Sequence, residues 1–372
     1  MPLQPSTGSA PMDSPNPARA MLPDRRGILV RLGVMLTVLV ALGLAIASMP
    51  GLDELRRTLA DAAPGWLAAA LALEAASCLA FVAAFRGVFS RGLPWRFSYE
   101  VGMAAQGTNV LLPAGGTSGL ALSAWALRKA GMSTERIARG TVAFFLITSS
   151  VNFATAACAG AAVTFGLLAG AGVAPALTAV PAALAAAAIV GVHFLPRLLD
   201  RPRSPSGRMS RGLAKGGIAL SAGIRDAGTL VRSGSPLVIA GAVGYMALDL
   251  AALAAAFAAV GSPPPVGMLA LAYVVGQLGA LIPLPGGVGG TDGGLIAALV
   301  LYGTPLAPAV GAVLAYRAFQ LGLPALLGAL AVFRLPRLLR GIPDVCEPVA
   351  ALSASGGRTG AGSVAPVGIA TS

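Results

Sequence analysis

The sequence predicts an all-α polytopic membrane protein, built as two inverted repeats that each contain three transmembrane helices and one re-entrant hairpin. Its 372 residues are 56% hydrophobic and only 11% charged, with a mean hydropathy of +0.80, whereas soluble domains carry about 25% charged residues. Six apolar runs approach the roughly 20 residues that a helix needs to cross a bilayer. Two further apolar stretches are each broken in the middle by a Pro/Gly motif, one in each half of the chain.

The six candidate spans share their length and their lack of charge: Ile28 to Met49, Gly65 to Phe89, Thr141 to Gly170, Ala174 to Leu195, Leu237 to Val260 and Leu306 to Phe333. We therefore expect a first membrane half at 27–170 and a second at 171–335. The flanking segments, 1–26 and 336–372, are rich in small residues and proline, and predict disordered tails. The first run also resembles a secretory signal, but its length favours an uncleaved anchor.

The two broken stretches, 99–125 and 266–301, align with each other at one fixed offset. This alignment sets Gln106, Gly115, Gly116 and Gly119 against Gln277, Gly286, Gly287 and Gly290. A helix break at membrane depth leaves backbone groups unbonded, which hydrocarbon tolerates only where the chain is buried in protein or lines a cavity. Two such breaks at corresponding positions are typical of the substrate site of a duplicated transporter.

Basic residues predict the orientation, because cytoplasmic segments carry an excess of Lys and Arg. Basic clusters precede and follow the first broken stretch, so that stretch should enter and leave the membrane from the cytoplasm. The loop at 197–235 is also cytoplasmic, since Arg197 to Arg232 holds eight basic and two acidic residues. The second hairpin then enters from the opposite face. We expect the protein in the inner cell membrane with both termini in the cytoplasm.

Ionisable residues within spans usually face the bundle interior or a wet cavity. Glu74 and Asp249 stand at comparable positions in the two halves, and they are candidates for binding a proton or tuning charge, since burial favours the neutral form of a carboxylic acid. A structural hydrogen bond to a neighbouring helix is the alternative. Arg317 suits a phosphate group, or an ion pair with Asp292. Asp292 could instead cap the helix that it begins.

The glycine pairs predict tight turns, and the half-helix after each turn would direct its N–H groups and positive dipole end toward the midplane. Amide side chains, including Asn152, add donors near the same depth. The candidate substrate-binding residues are Gln106, Asn109, Gly115, Gly116, Gln277, Gly286, Gly287, Asp292 and Arg317. The expected ligand is a membrane lipid with an anionic phospholipid headgroup.

The remaining composition indicates no cofactor and no metal site. The three cysteines, Cys78, Cys158 and Cys346, show no paired spacing. The formal charge of +12 comes from basic residues beside apolar runs, where they meet lipid headgroups, so nucleic acid is not an expected partner.

Two other functions remain as alternatives. Gly116-Thr117-Ser118-Gly119 matches the G-x-S-G pattern of rhomboid-type intramembrane serine proteases, and His193 is the one histidine of the chain. A catalytic serine needs a base within hydrogen-bond reach, but His193 falls at a predicted cytoplasmic helix end and the sister motif has no serine, so we expect no enzymatic activity. The second alternative is a scaffold that recruits a lipid-modifying enzyme through the cytoplasmic loop.

Several motifs together resemble the transmembrane region of the lysylphosphatidylglycerol synthase, or flippase-like, family. They are Asn109, Leu112-Pro113, Gly115-Gly116, Gly131-Met132-Ser133, the run Pro283-Leu284-Pro285-Gly286-Gly287-Val288-Gly289, Asp292 and Tyr316-Arg317. The resemblance covers about Ile28 to Leu335. In fused members this region is associated with moving an aminoacylated phospholipid between leaflets, and a soluble aminoacyltransferase domain follows it. Here only a short tail follows Leu335, so the resemblance implies lipid translocation without lipid synthesis.

Overall fold

The computed structural model describes residues 25–48, 51–90, 92–112, 117–170, 172–199, 208–261, 263–279 and 289–340. Within these ranges the chain forms twelve α-helices and no β-strand. They are α1 (Arg25–Ser48), α2 (Asp53–Ala60), α3 (Pro64–Phe89), α4 (Trp95–Leu111), α5 (Thr117–Lys129), α6 (Thr134–Thr164), α7 (Pro175–Leu199), α8 (Arg208–Arg232), α9 (Pro236–Val260), α10 (Val266–Leu278), α11 (Gly290–Leu301) and α12 (Leu306–Arg340).

Five of these helices, α3, α6, α7, α9 and α12, are long and apolar enough to cross a membrane. They coincide with five of the six predicted spans, which confirms a multi-pass membrane protein. The first predicted span forms α1, which is not among the five. Helix α6 begins seven residues before the predicted Thr141 because Ser133 caps it, its Oγ accepting from the backbone N–H of Arg136.

The ends of the chain are described only in part. Residues 1–24 and 341–372 of the predicted disordered tails lie outside the described residues, whereas 25–26 and 336–340 are helical. The four hairpin glycines of the proposed site, Gly115, Gly116, Gly286 and Gly287, also lie outside the described residues.

Each broken stretch forms two short helices that pack against each other. A Cβ at Gly119 of α5 would lie only 2.3 Å from the carbonyl oxygen of Ala105 in α4. Similarly, the carbonyl oxygen of Gly290 in α11 lies 2.1 Å from the position of a Cβ at Gly279. The aligned glycines Gly119 and Gly290 therefore both lie where the two arms of a hairpin meet, and the close approach of the backbones requires glycine at Gly119 and at Gly279.

Helices α3 and α9 form an extensive contact between the two halves. A Cβ at Gly241 would lie 2.5 Å from the backbone nitrogen of Ala84, and Ser77 Oγ donates to the carbonyl oxygen of Tyr245 at 3.0 Å. Residue numbers fall along α3 as they rise along α9, so the two helices are antiparallel. Small residues permit this approach, as is usual where packing joins membrane helices.

Other contacts occur in pairs. In each pair, one helix packs on a second helix, and the helix six places after the first packs on the helix six places before the second. Helix α4 packs on α12 and α10 packs on α6; α1 packs on α12 and α7 on α6; α2 packs on α12 and α8 on α6. The α4–α12 and α6–α10 contacts also have the same alignment of the two helices along their lengths. The carbonyl oxygen of Met103 lies 2.6 Å from a Cβ position at Gly328 in the α4–α12 contact, and Leu271 approaches Gly160 at 3.3 Å in the α6–α10 contact.

The predicted cytoplasmic loop contains a helix that the sequence analysis missed. Residues 208–232 form α8, a 25-residue helix that packs on α6 and α7. Its Asp226 accepts two hydrogen bonds from Arg139 of α6, at 2.9 Å from Nε and 2.8 Å from Nη2. Basic residues and nearby prolines suggested a loop, although buried small residues such as Gly223 and Ala227 recur at helical spacing.

We expect the Asp226→Ala substitution to loosen the attachment of α8 without unfolding the membrane helices. The bidentate pair with Arg139 is a charged link between α8 and α6, so its loss should increase tryptic cleavage after Arg225 several-fold in the detergent-solubilised protein. Asp53→Ala is the matched control, because Asp53 pairs with Arg56 of its own helix, and it should leave cleavage unchanged. Equal cleavage in both variants would contradict the role of the pair.

Candidate functional site

Five of the residues singled out by sequence lie in one connected set of polar side chains, which we call the central polar network. It contains Glu74 of α3, Asp249 of α9, Tyr273 and Gln277 of α10, Asp292 of α11, and Tyr316, Arg317 and Gln320 of α12. The network therefore joins both halves of the chain. It brings together Glu74, Asp249, Gln277, Asp292 and Arg317.

Asp249 is the centre of this network. Its side chain is 2% exposed, and it accepts hydrogen bonds from the Tyr273 hydroxyl, from the Tyr316 hydroxyl at 2.8 Å and from Nε2 of Gln320 at 3.2 Å. A buried carboxyl group needs such partners, because an unpaired one loses its hydration without compensation. The carboxyl group of Glu74, itself 3% exposed, lies within hydrogen-bonding range of Asp249.

Gln320 connects the acid pair to the arginine. Its Nε2 donates to Asp249, and its Oε1 accepts from Nη1 of Arg317. Gln320 lies three positions after Arg317 and four positions after Tyr316 along α12. Both spacings bring side chains together on one face of a helix, so Gln320 lies beside Tyr316 and Arg317. One turn of α12 therefore supplies a continuous polar path from Asp249 to Arg317.

Asp292 combines the two structural roles that the sequence left open. Its Oδ1 forms an ion pair with Nε of Arg317, in which the Asp292 side chain is 21% exposed and the Arg317 side chain 12%. Its Oδ2 accepts a hydrogen bond from the backbone N–H of Gly289 at 3.1 Å, which caps the first turn of α11. Gly289 has φ +92°, a conformation that favours glycine.

The first-half candidates for substrate binding that the structure describes, Gln106 and Asn109, do not join the central polar network through any described contact. Asn109 Oδ1 accepts from the backbone N–H of Gly119 at 2.7 Å, so this amide caps the start of α5 as Asp292 caps α11. Gln106 differs from Asn109. Its Nε2 is buried, and no acceptor among the described residues reaches it, so Gln106 retains an unused donor close to the first hairpin.

The described contacts do not form a serine–histidine pair. Ser118 Oγ donates to the carbonyl oxygen of Thr108 at 3.2 Å and lies 3.5 Å from Asn109 Oδ1. His193, on α7, is exposed and contacts the ring of Phe194 edge-on. The hydrogen bonds of Ser118 thus join the two arms of the first hairpin, α4 and α5.

Sequence reasoning missed the roles of Tyr273 and Gln320. Tyr273 lies four residues before Gln277 in an apolar helix, and Gln320 lies three after Arg317. A polar residue three or four positions from another polar residue within an apolar helix is the signal that could have identified both. Among the described residues, no group of three His, Cys, Asp or Glu side chains is placed to hold a metal ion.

Chemically, the arrangement can exchange one anion for another. A guanidinium offers five N–H donors in a planar fork, and Arg317 lies beside the first turn of α11, where the helix dipole also favours negative charge. Asp292 supplies the anion in this structure. An external phosphate or carboxylate of similar shape could take the place of Asp292 at the guanidinium.

Comparison with known proteins agrees with these features. The family model described as the lysylphosphatidylglycerol synthase TM region matches residues 28–328, which includes every residue of the central polar network. A search of curated proteins found no match. Because the family match covers most of the chain, the resemblance inferred from the sequence motifs is confirmed, and this protein belongs to the lysylphosphatidylglycerol synthase transmembrane-region family.

Proposed function

We propose that this protein binds an anionic phospholipid at the central polar network and translocates it between the two leaflets of the inner membrane. The observation that carries this proposal is the partly buried ion pair between Arg317 and Asp292, beside the first turn of α11. A lipid phosphate would compete with Asp292 for the guanidinium, because phosphate oxygens form charge-assisted hydrogen bonds with its N–H groups. The association of fused family members with moving an aminoacylated phospholipid supports this assignment.

The proposal includes an inverted repeat, in which one half of the chain rocks against the other to expose the site alternately. The antiparallel contact of α3 with α9 supports it, because a two-fold axis in the membrane plane relates antiparallel equivalents. The equivalent neighbours of helices six places apart support it as well. The central polar network lies across the contact between the two halves, where a rocking motion would act on it.

The proposal also includes re-entrant hairpins. Their arms α4, α5, α10 and α11 have 17, 13, 13 and 12 residues. At about 1.5 Å per residue, each arm is shorter than the ~30 Å hydrocarbon core. Arms this short that pack on each other support hairpins that enter and leave the membrane on the same side. The excess of basic residues around α8 supports placing that segment in the cytoplasm.

The test is leaflet exchange of a fluorescent phosphatidylglycerol in liposomes that contain the purified full chain. We expect exchange well above that of protein-free liposomes, and slower exchange of the matched phosphatidylcholine probe, which has no net charge. Binding competition with glycerol 3-phosphate separates lipid from free phosphate ester: a lipid site should prefer the lipid strongly. Absence of both exchange and phosphatidylglycerol binding would contradict the proposal.

The same assay distinguishes the two alternatives. A scaffold acting through the α8 segment would retain a lipid-modifying enzyme but produce no lipid exchange. A rhomboid-like protease would cleave a membrane substrate, lose that cleavage on Ser118→Ala, and show no exchange in any variant. Exchange that survives Ser118→Ala would support translocation.

A further inference from the structure

The contact between Glu74 and Asp249 requires a proton. Both side chains are almost completely buried, at 3% and 2% exposure, and their carboxyl groups lie within hydrogen-bonding range of each other. Two carboxylates that close repel each other strongly away from water, so such a pair shares a proton. The contact is a hydrogen bond only if one of the two groups is the acid.

The donors around the pair indicate which group carries this proton. Asp249 receives three conventional donors, from Tyr273, Tyr316 and Gln320. Glu74 accepts only from the Cys78 thiol, at 3.8 Å, and no donor of the described residues reaches its Oε2; a thiol is a weak donor. The hydrogen bonds therefore favour an Asp249 carboxylate and a protonated Glu74.

The described titratable, charged and amide groups that face this pair come from five helices. They are Cys78 of α3, Tyr245 of α9, Tyr273 of α10, Tyr316, Arg317 and Gln320 of α12, and Asp292 of α11 through its ion pair with Arg317. With Glu74 protonated and the tyrosines neutral, the carboxylates of Asp249 and Asp292 outweigh the single guanidinium. The network then carries one net negative charge.

Adding a lipid phosphodiester would give this buried network a second net negative charge. Extra charge in a low-dielectric interior is costly, and one proton taken up by Asp249 would cancel it. In that step an O–H bond forms on the Asp249 carboxylate, and the proton leaves a hydronium ion or a buffer acid in the solvent. Gln320 connects the site of proton uptake with the site of anion binding, because its amide contacts both Asp249 and Arg317.

We propose that Glu74 and Asp249 form a proton-binding site that is coupled to the anion site at Arg317, so that one proton is taken up with each lipid phosphate bound. This inference rests on the proposed function and names the co-transported ion. Linkage is reciprocal, and its sign follows directly. A proton that favours anion binding makes the affinity for an anionic lipid rise as the pH falls.

The experiment measures phosphatidylglycerol binding to the purified full chain in detergent between pH 6 and pH 8, a range over which the phosphodiester of the probe stays singly charged. In the pH range over which the Glu74–Asp249 pair takes up its proton, we expect the affinity for phosphatidylglycerol to fall about tenfold for each unit that the pH rises. This slope is expected because one proton binds with each lipid. A pH indicator in weakly buffered solution should record uptake of about one proton per lipid bound.

Variants locate the proton. Asp249→Asn should remove both the pH dependence and the proton uptake, whereas Glu74→Gln, which imitates a protonated acid, should retain both. Glu100→Gln is the matched control, because Glu100 is equally buried but faces Arg334 instead of the network; it too should retain both. If Asp249→Asn does not fold, the number of protons that the unmodified protein takes up per bound lipid tests the coupling instead.

The outcomes separate this inference from the proposed function. Phosphatidylglycerol that binds equally at all pH values without proton uptake overturns the coupling and leaves lipid binding intact. Loss of the pH dependence in Glu74→Gln but not in Asp249→Asn overturns the assignment of the proton. Absence of phosphatidylglycerol binding at every pH instead contradicts the proposed function.

Discussion

Replacing Arg317 by alanine is expected to abolish leaflet exchange of phosphatidylglycerol and to weaken its binding about 100-fold. Charge-assisted hydrogen bonds of a guanidinium contribute up to about 3 kcal/mol, which corresponds to this loss of affinity. Fluorescence titration measures the binding and the liposome assay measures exchange. Arg317→Lys should retain part of both, because lysine keeps the charge but loses the planar fork.

Stability must be separated from function in these variants. Arg317→Ala leaves the Asp292 carboxylate without its guanidinium, which costs about 3 kcal/mol when such a pair is buried. Asp292→Asn removes that charge and keeps an oxygen to accept from the N–H of Gly289. The double variant should therefore recover much of the thermal stability in detergent, yet show no lipid exchange. Wild-type exchange in the double variant would contradict a substrate-binding role for Arg317.

The second large effect is expected from Gly107→Ala, at the contact of α4 with α12. The added Cβ would lie 2.6 Å from Cα of Gly328 and 2.7 Å from the carbonyl oxygen of Pro324. Both are backbone atoms, so no side chain can rotate to make room, and the two helices must separate. We expect a loss of about 3 kcal/mol in stability, measured by thermal unfolding and by the fraction of monodisperse protein.

Gly322→Ala is the matched control for this substitution. Gly322 lies within α12, and no heavy atom counted outside its own helix backbone comes within 4 Å of its Cβ position. Alanine has a higher helix propensity than glycine, so this variant should unfold at the same temperature as the wild type or slightly above it. Equal destabilisation of both variants would show that the close approach at Gly107 is not the cause.

The sequence predicts the spans and the broken stretches well because both depend on local properties. An uninterrupted apolar run has few alternatives to a membrane helix, and adjacent Pro and Gly residues such as those of the two motifs disfavour a continuous helix. The Asp292–Arg317 pair could also be predicted from the sequence, because the two opposite charges lie in neighbouring apolar segments. Helix ends were less predictable, because a cap such as Ser133 extends α6 beyond the apolar residues.

The contacts between distant helices could not be read from the sequence. Each of Glu74 and Asp249 has an apolar neighbourhood that predicts burial, but nothing local indicates that α3 packs on α9 and sets the two acids together. The same limit applies to the contact of Gln320 with Asp249, which lies on a different helix. Helix α8 was missed for another reason: its basic residues masked the helical spacing of its small buried residues.

The meeting of Glu74 with Asp249 has a consequence for biosynthesis. The two acids are separated by 175 residues, so the ribosome has inserted α3 long before its partner α9 is made. Throughout that interval the Glu74 carboxyl lacks the group it will finally contact, and α3 remains incompletely satisfied in the bilayer. The buried carboxyl of Glu74 thus reaches its partner only after α9 has been made, and a chain that ends before α9 leaves this acid in the bilayer without Asp249.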